Sequence, residues 1–313
     1  MTKHFIDIDD HGPDWVVSVL EAGEMLRDKR RKGERTEALK NKTLAVLFEK
    51  PSLRTRVSFE QAMNELGGRA IVLQQAEVGL GKRESAADVA RVLAGMVDAI
   101  AARVFEHAKL RELAEHAGIP VINALSDESH PCQALADIMT MRDEFGEDLS
   151  NRTLAFVGDG NNVALSLARV CALLGINFVV ASPDGHRIDK HTLDQLRSNY
   201  PNAEIIETPN AAEAVKNADA VYADTFISMG EEDQKDEKLK AFEGYQLNEA
   251  LMANAPDHAI VMHCLPAYRG IEITSGVIEG KQSRVFPQAH NRLHAQKGLL
   301  AMLLGDGFTI MKS

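Results

Sequence analysis

Residues 44–66 read LAVLFEKPSLRTRVSFEQAMNEL, and the reading of this stretch decides the fold. Its first five residues are apolar without a break, the composition of a strand buried on both faces. The polar turn Glu49-Lys50-Pro51-Ser52 follows, and from Val57 to Leu66 apolar residues recur at the spacing of one helix face. Strand, turn and helix in that order open a βαβ unit, which closes only as a parallel sheet with helices packed on it.

The same alternation runs through the chain. Strands are predicted at 44–48, 70–73, 99–103 and 121–123, and again at 153–157, 178–181, 204–207, 220–223 and 260–262. The fold class is therefore α/β, with two domains, each a parallel sheet flanked by helices. The polar stretch 144–152, which contains Gly146, sets the boundary: residues 1–146 form the first domain and 147–290 the second. An amphipathic C-terminal helix, about 291–313, joins the first domain. Segment 230–240 carries Glu231, Glu232, Asp233, Lys235, Asp236, Glu237, Lys238 and Lys240. That density predicts a mobile surface loop unable to pack in a core, and a candidate lid.

Composition narrows the function classes. A chain of 313 residues is long enough for two cores. A net charge of −11 disfavours a nucleic-acid or anionic-membrane surface, so an anionic ligand has to be held by local positive charge. No apolar run approaches the ~18 residues of a membrane span, and the first residues lack the pattern of a secretion signal, which points to the cytoplasm. Cys132, Cys171 and Cys264 are odd in number and far apart, spaced neither as a disulfide framework nor as zinc ligands. The basic stretch 27–42 also holds Asp28, Glu34 and Glu37 and reads as a solvated helix face with its exit loop.

Five segments that follow strands carry the chemistry. In the first, Ser52, Thr55 and Arg56 stand at a helix N-terminus, where hydroxyls, guanidinium groups and the dipole together suit a phosphate dianion; simple capping of the helix is the competing reading. In the second, His130-Pro131-Cys132-Gln133, proline at the first helical position leaves His130 at the strand end, able to donate to a carbonyl oxygen, or else to serve a structural role. The third, Gly158-Asp159-Gly160-Asn161-Asn162, resembles a dinucleotide turn but lacks its third glycine, so the asparagines suit an amino-acid carboxylate better than a nicotinamide cofactor. The last two are 224–230, DTFISMG, and 263–267, HCLPA. All five fall at C-terminal strand edges, where a crevice between two α/β domains would open.

Taken together, Ser52-Leu53-Arg54-Thr55-Arg56, His130-Pro131-Cys132-Gln133, residues 224–230 and His263-Cys264-Leu265-Pro266 resemble, in order and over nearly the whole chain, the motif set of the aspartate/ornithine transcarbamoylase family. Ser228-Met229-Gly230 and Cys264-Leu265 are similar to its ornithine-using members, and Asn291-Arg292 also matches. The resemblance implies transfer of a carbamoyl group from carbamoyl phosphate to the side-chain amine of L-ornithine, in arginine metabolism, without metal or organic cofactor. It further implies a homotrimer with active sites in the interdomain cleft, near subunit interfaces. The implied catalytic set is Arg103, His130, Asp224 and Cys264. Carbamoyl phosphate is implied to lie against Ser52, Leu53, Arg54, Thr55, Arg56, Arg103, His130, Pro131, Cys132, Gln133, Cys264, Leu265 and Arg292. Ornithine is implied to lie against Asn161, Asn162, Asp224, Ser228 and Met229. Cys264 would act through its thiol or its backbone carbonyl. The chain departs from the family pattern at Leu53 (a frequent threonine), Phe226 (tryptophan), His290 (glutamate) and Gly79 (glutamine), with Lys82 a candidate substitute for the last.

Overall fold

The computed structural model describes residues 3–227 and 232–305. By Cα proximity the chain divides into two units, with breaks between Met139 and Thr140 and between Ala289 and His290. Unit 1 runs through α1 (Pro13–Arg31), β1 (Thr43–Phe48), α2 (Leu53–Glu65), β2 (Arg69–Gln74), the single-turn α3 (Gln75–Val78), α4 (Ala86–Ala94), β3 (Ala99–Arg103), α5 (His107–Ala117) and β4 (Val121–Leu125). Helix α6 (Pro131–Phe145) carries the chain across the first break. Unit 2 holds β5 (Thr153–Val157), α7 (Asn162–Leu174), β6 (Asn177–Ala181), α8 (Lys190–Asn199), β7 (Ile205–Thr208), α9 (Ala211–Val215) and β8 (Ala220–Ala223). It continues with α10 (Lys235–Ala241), α11 (Glu249–Met252), β9 (Ile260–His263) and α12 (Ser275–Ile278), and α13 (Val285–Leu304) crosses the second break.

Among the described residues each unit contains one sheet, parallel throughout, in the order β2-β1-β3-β4 in unit 1 and β7-β6-β5-β8-β9 in unit 2. The central strands β1, β3, β5 and β8 are almost wholly buried, which is why they read as unbroken apolar runs rather than alternating ones. In unit 1 the strand order reverses between β1 and β3, and in unit 2 between β5 and β8. At such a reversal the two connections leave the sheet in opposite directions and open a gap beyond the C-terminal ends of the strands, the usual ligand position of α/β sheets. The segments that the sequence marks as chemical follow β1, β4, β5, β8 and β9, and those after β1, β5 and β8 begin at the reversals themselves.

The predicted strands all form, with ends that move by one or two residues. Three expectations need correction. The C-terminal helix begins at Val285, six residues before Asn291, because Pro287 falls in its first turn, where a missing N–H leaves no intrahelical bond unmade; residues 306–313 lie outside those described. Within the charged segment, Glu232–Gln234 is a turn of 3-10 helix and Lys235–Ala241 is helical, with Lys238 buried and its Nζ 2.7 Å from Asp159 Oδ2. A charge-rich segment can pack after all where one of its cations meets a carboxylate of the fold. In the basic stretch, Arg27 is buried and donates to Asn291 Oδ1 at 3.2 Å instead of facing solvent.

Helices α1 and α13 touch backbone to backbone. A Cβ at Gly298 would lie 2.2 Å from the Val19 carbonyl oxygen and 2.7 Å from the Gly23 nitrogen, so only glycine allows this approach. Beside it Lys297 Nζ donates to the Leu26 carbonyl at 3.0 Å and to Glu65 at 2.9 Å. Gly298→Ala is expected to lower unfolding free energy by about 1–3 kcal/mol in urea denaturation, the usual cost of overpacking. Gly95→Ala, whose added methyl would meet only an ordinary contact at 3.7 Å, should change it by less than about 0.5 kcal/mol. Equal losses in both variants would refute the close-approach account.

Candidate active site

In unit 1 the site is built on the ends of β1, β3 and β4. Ser52 caps α2 by accepting from the Thr55 N–H at 3.2 Å, so the capping reading of this hydroxyl is realised. The Thr55 hydroxyl is different: the residue is 1% exposed, and its Oγ1 finds no hydrogen-bond partner among the described residues. A buried hydroxyl left in that state costs on the order of 1–3 kcal/mol unless a ligand satisfies it. Arg54 is half-buried, whereas Arg56 is exposed and pairs with Glu60 at 3.1 Å. Leu53 points into solvent at 75% exposure, leaving only its backbone for a ligand.

Arg103 ends β3, and its carbonyl accepts from the Glu49 N–H at 2.9 Å, which ties the β1 turn to the β3 end. His130 precedes Pro131, the first residue of α6, and its carbonyl accepts from the Gln133 N–H at 3.0 Å. Its imidazole is buried, and burial together with Arg292, Arg103 and Arg54 holds it well below the ordinary histidine range. It is therefore a neutral ring that carries a single N–H, within electrostatic reach of three guanidinium groups. Gln133 is fixed on both sides: Arg292 Nη1 donates to its Oε1 at 2.7 Å, and its Nε2 donates to Asp137 Oδ1 at 2.7 Å. Burial pushes the Cys132 thiol up to about 12, and Sγ–H donates to the Asn123 carbonyl at 3.3 Å, so this cysteine is structural. The structure thus gathers Arg54, Arg103, His130 and Arg292, with Thr55 and Gln133 held beside them on α2 and α6, and leaves Arg56 out of the group.

In unit 2 the turn after β5 and the ends of β8 and β9 supply a carboxylate cluster. Asn161 caps α7, its Oδ1 accepting from Val163 and Ala164, and its Nδ2 donates to Asp224 Oδ2 at 2.9 Å. Asp224 is buried, and its other oxygen accepts from the Cys264 thiol at 2.9 Å. Asn162, half-buried, opens α7. Ser228, Met229 and Gly230 lie outside the described residues. Gly160 packs against backbone: a Cβ there would lie 2.4 Å from the Ile188 nitrogen, so the glycine serves an internal contact.

Asp224, His263 and Cys264 place ligand-type atoms within 4.8 Å of one another. All three are already engaged in hydrogen bonds: Asp224 accepts from Asn161 and from the Cys264 thiol, His263 Nδ1 accepts from the Leu265 N–H at 2.9 Å, and His263 Nε2 donates to Glu272 Oε1 at 3.1 Å. A cation would have to displace protein donors, so the cluster is a hydrogen-bonded one. Two carboxylates, one in each unit, were not assigned a site role by the sequence reading. Asp137 stands four residues after Gln133, on the same helix face, and Glu272 sits between Ile271 and Ile273, an apolar setting that signals a buried carboxylate.

Comparisons with known proteins divide the chain near the first of the two breaks, and the second match runs on past Ala289 through most of α13. Residues 3–143 match the family described as aspartate/ornithine carbamoyltransferase, carbamoyl-P binding domain, and residues 150–303 match its Asp/Orn binding domain. The chain is 48% identical over 305 residues to an ornithine carbamoyltransferase of Haloquadratum walsbyi, covering 97% of this chain and 99% of that one. It is 44% identical over 304 residues to a catabolic ornithine carbamoyltransferase of Halobacterium salinarum, covering 97% and 100%. The solved ornithine carbamoyltransferase of Pyrococcus furiosus superposes with a TM-score of 0.94 at 42% identity, over 97% of each chain.

The neutral state of His130 has a consequence for stability. An unfolded histidine takes a proton near pH 6.5, whereas the folded ring resists it, so below that pH the unfolded chain binds more protons. Stability is full above pH ~6.5 and falls as the pH drops, by up to about 1.4 kcal/mol per unit for each such histidine. His294, held at about 3 by burial with Lys297, Arg27 and Arg30, acts in the same direction. Urea midpoints are expected to fall between pH ~7.5 and ~5.5, less steeply in His130→Asn; identical slopes in the two proteins would contradict the assignment.

Proposed function

Because the chain belongs to the aspartate/ornithine carbamoyltransferase family, we propose that it transfers the carbamoyl group of carbamoyl phosphate to the side-chain amine of L-ornithine, giving L-citrulline and phosphate. The observation that carries this reading is the cationic group of unit 1: Arg54, Arg103 and Arg292 bearing on a neutral His130. A protein of net charge −11 concentrates positive charge in this way for an anion, and a neutral imidazole among guanidinium groups is a donor suited to a carbonyl oxygen.

The chemistry is attack of an uncharged amine on the carbonyl carbon, with negative charge collecting on oxygen, followed by departure of phosphate. Ser52, Arg54 and Thr55, with the N-terminal end of α2, take the phosphate; Arg56, turned toward Glu60, does not join them. Arg103, Thr55 and His130 face the carbonyl oxygen, where donors set in advance lower the barrier most. Gln133, oriented by Arg292 and Asp137, keeps a second lone pair on Oε1 for the carbamoyl N–H.

Unit 2 takes the amino acid. The ornithine side-chain amine has a solution pKa near ~10.4 by analogy with lysine, so it must be captured and then stripped of a proton before attack. Asp224 receives it, steered by Asn161 and by the Cys264 thiol. Because the thiol proton is already given to Asp224 and the amine is itself the nucleophile, Cys264 orients and does not form a covalent intermediate. Asn162, Ser228 and Met229 are assigned to the α-amino and α-carboxylate groups.

Finer readings follow. We assign carbamoyl phosphate binding to residues 1–146 with the C-terminal helix and ornithine binding to 147–290. A cytoplasmic, biosynthetic enzyme fits three free cysteines and the absence, among the described residues, of a helix able to cross a membrane. Self-association as a homotrimer is supported by apolar side chains exposed along α2 and the edge strand β2, namely Leu53, Val57 and Ile71.

Purified protein given carbamoyl phosphate and ornithine is expected to yield citrulline and phosphate in equal amounts and to scatter light as three copies. Arg54→Met should lower kcat/KM by roughly 10²–10³-fold. Thr55→Val should lower it by at least about tenfold while leaving the unfolding midpoint unchanged or higher, since no protein hydrogen bond is lost. Absence of citrulline from the folded wild-type protein would end this reading.

A further inference from the structure

The turn that carries Cys264 rests on a buried ion-pair geometry that the reaction itself does not use. His263 ends β9, and its side chain and that of Glu272 are both 0% exposed. Burying a carboxylate costs several kcal/mol, and a well-packed apolar residue of similar volume is often as good or better for stability. The hydrogen bonds of this pair nevertheless all converge on one turn. Because the Leu265 N–H donates to Nδ1 at 2.9 Å, Nε2 carries the ring proton and donates to Glu272 Oε1 at 3.1 Å. The same oxygen accepts from the Tyr268 N–H at 2.5 Å. Glu272 thus closes both ends of the turn, at 263–265 through the imidazole and at 268 directly.

The turn has reason to need closing. Leu265 sits at φ 58°, a left-handed conformation rare for a branched side chain. Behind it, the His263 N–H donates to Gln288 Oε1 at 2.8 Å, and Gln288 Nε2 donates to the Tyr222 hydroxyl at 3.0 Å. Tyr222 lies on β8 two residues before Asp224, so the carboxylate and the turn are referenced to the same buried polar chain. Between the fixed ends stands Cys264, whose thiol donates to Asp224 at 2.9 Å.

We propose that Glu272 is a positioning residue that, through His263, sets the turn bearing Cys264 and so aims the Asp224 carboxylate at the substrate amine. The proposal rests on the carbamoyl-transfer reading for its kinetic consequence, but its structural consequence is independent of it. Glu272→Leu removes the acceptor and keeps the volume, but it leaves the buried His263 Nε2–H and the Tyr268 N–H without their acceptor and so costs stability, and its rates are read only at temperatures where circular dichroism shows it folded. Glu272→Gln keeps one acceptor oxygen for both donors.

With carbamoyl phosphate and ornithine, Glu272→Leu is expected to lower kcat by about 30–100-fold with the carbamoyl phosphate KM within twofold of wild type, and Glu272→Gln to restore kcat to within about threefold. Cys264 is the one cysteine of the three that is not fully buried, so alkylation by iodoacetamide, followed by peptide mass spectrometry, reports the turn without any turnover. Labelling should be at least tenfold faster in Glu272→Leu and at the wild-type rate in Glu272→Gln. Unchanged labelling in Glu272→Leu overturns the proposal whatever the enzyme's activity. Altered labelling with wild-type kcat limits Glu272 to a structural role and also overturns it, whereas a wild-type protein that makes no citrulline yet shows the labelling pattern refutes only the functional reading.

Discussion

The constraint on which the rest depends is the reversal of strand order at the middle of each parallel sheet. In unit 1, β1 pairs with β2 on one side and β3 on the other; in unit 2, β5 stands in the same way between β6 and β8. Parallel strands need long crossovers, and where successive crossovers run in opposite directions the sheet leaves a gap at its C-terminal edge that no packing element fills. Phe48 lies opposite Arg103 in register and Ala223 opposite His263, so the segments that begin beyond these residues start side by side. Placement of the chemical groups therefore follows from topology before any of their own interactions are counted.

Charge decides what each gap holds. The chain as a whole repels anions, yet unit 1 sets Arg54, Arg103 and Arg292 against one imidazole and keeps that imidazole neutral. A protonated ring would add a fourth positive charge in a desolvated place, and a neutral one still offers a hydrogen bond without that repulsion. Unit 2 inverts the sign. There Asp224 is approached by an amide and a thiol, two neutral donors that fix the carboxylate without cancelling it. A guanidinium in the same place would have oriented Asp224 equally well and removed its attraction for an amine.

Much of this was legible in the residues alone. The apolar runs gave nine strands because buried parallel strands have no polar face to interrupt the signal, and the strand-end motifs named most of the groups that the structure gathers. Arg54 and Arg56 show where pattern reading stopped short. Two residues apart on a helix means about 200° of rotation, so one guanidinium faces the sheet end when the other faces away, and only Arg54 bears on His130. The helical position of Lys238 was hidden for a different reason: its partner Asp159 is 79 residues away, and charge density within a segment says nothing of a distant carboxylate. Glu272 and Gln288 were missed because buried polar groups are exceptions to the apolar pattern that strand and helix assignment depends on. Ser228 and Met229 fall outside the described residues, so the sequence remains the ground for their assignment.

The two units also differ in how they hold their polar groups still. In unit 1 the fixing elements are helices: α2 is capped by Ser52, α6 begins at Pro131, and α13 brings Arg292 to Gln133. Helix backbones satisfy themselves, so the side chains there are left to meet a ligand, as the Thr55 hydroxyl is. In unit 2 the corresponding element at β9 is an irregular turn, and a turn has backbone N–H groups that need acceptors. Buried Glu272 and His263 supply those acceptors to Leu265 and Tyr268, which explains why ionisable groups occupy a place where apolar ones would pack as well. The polar core of unit 2 is thus the consequence of placing Cys264 on a turn instead of on a helix.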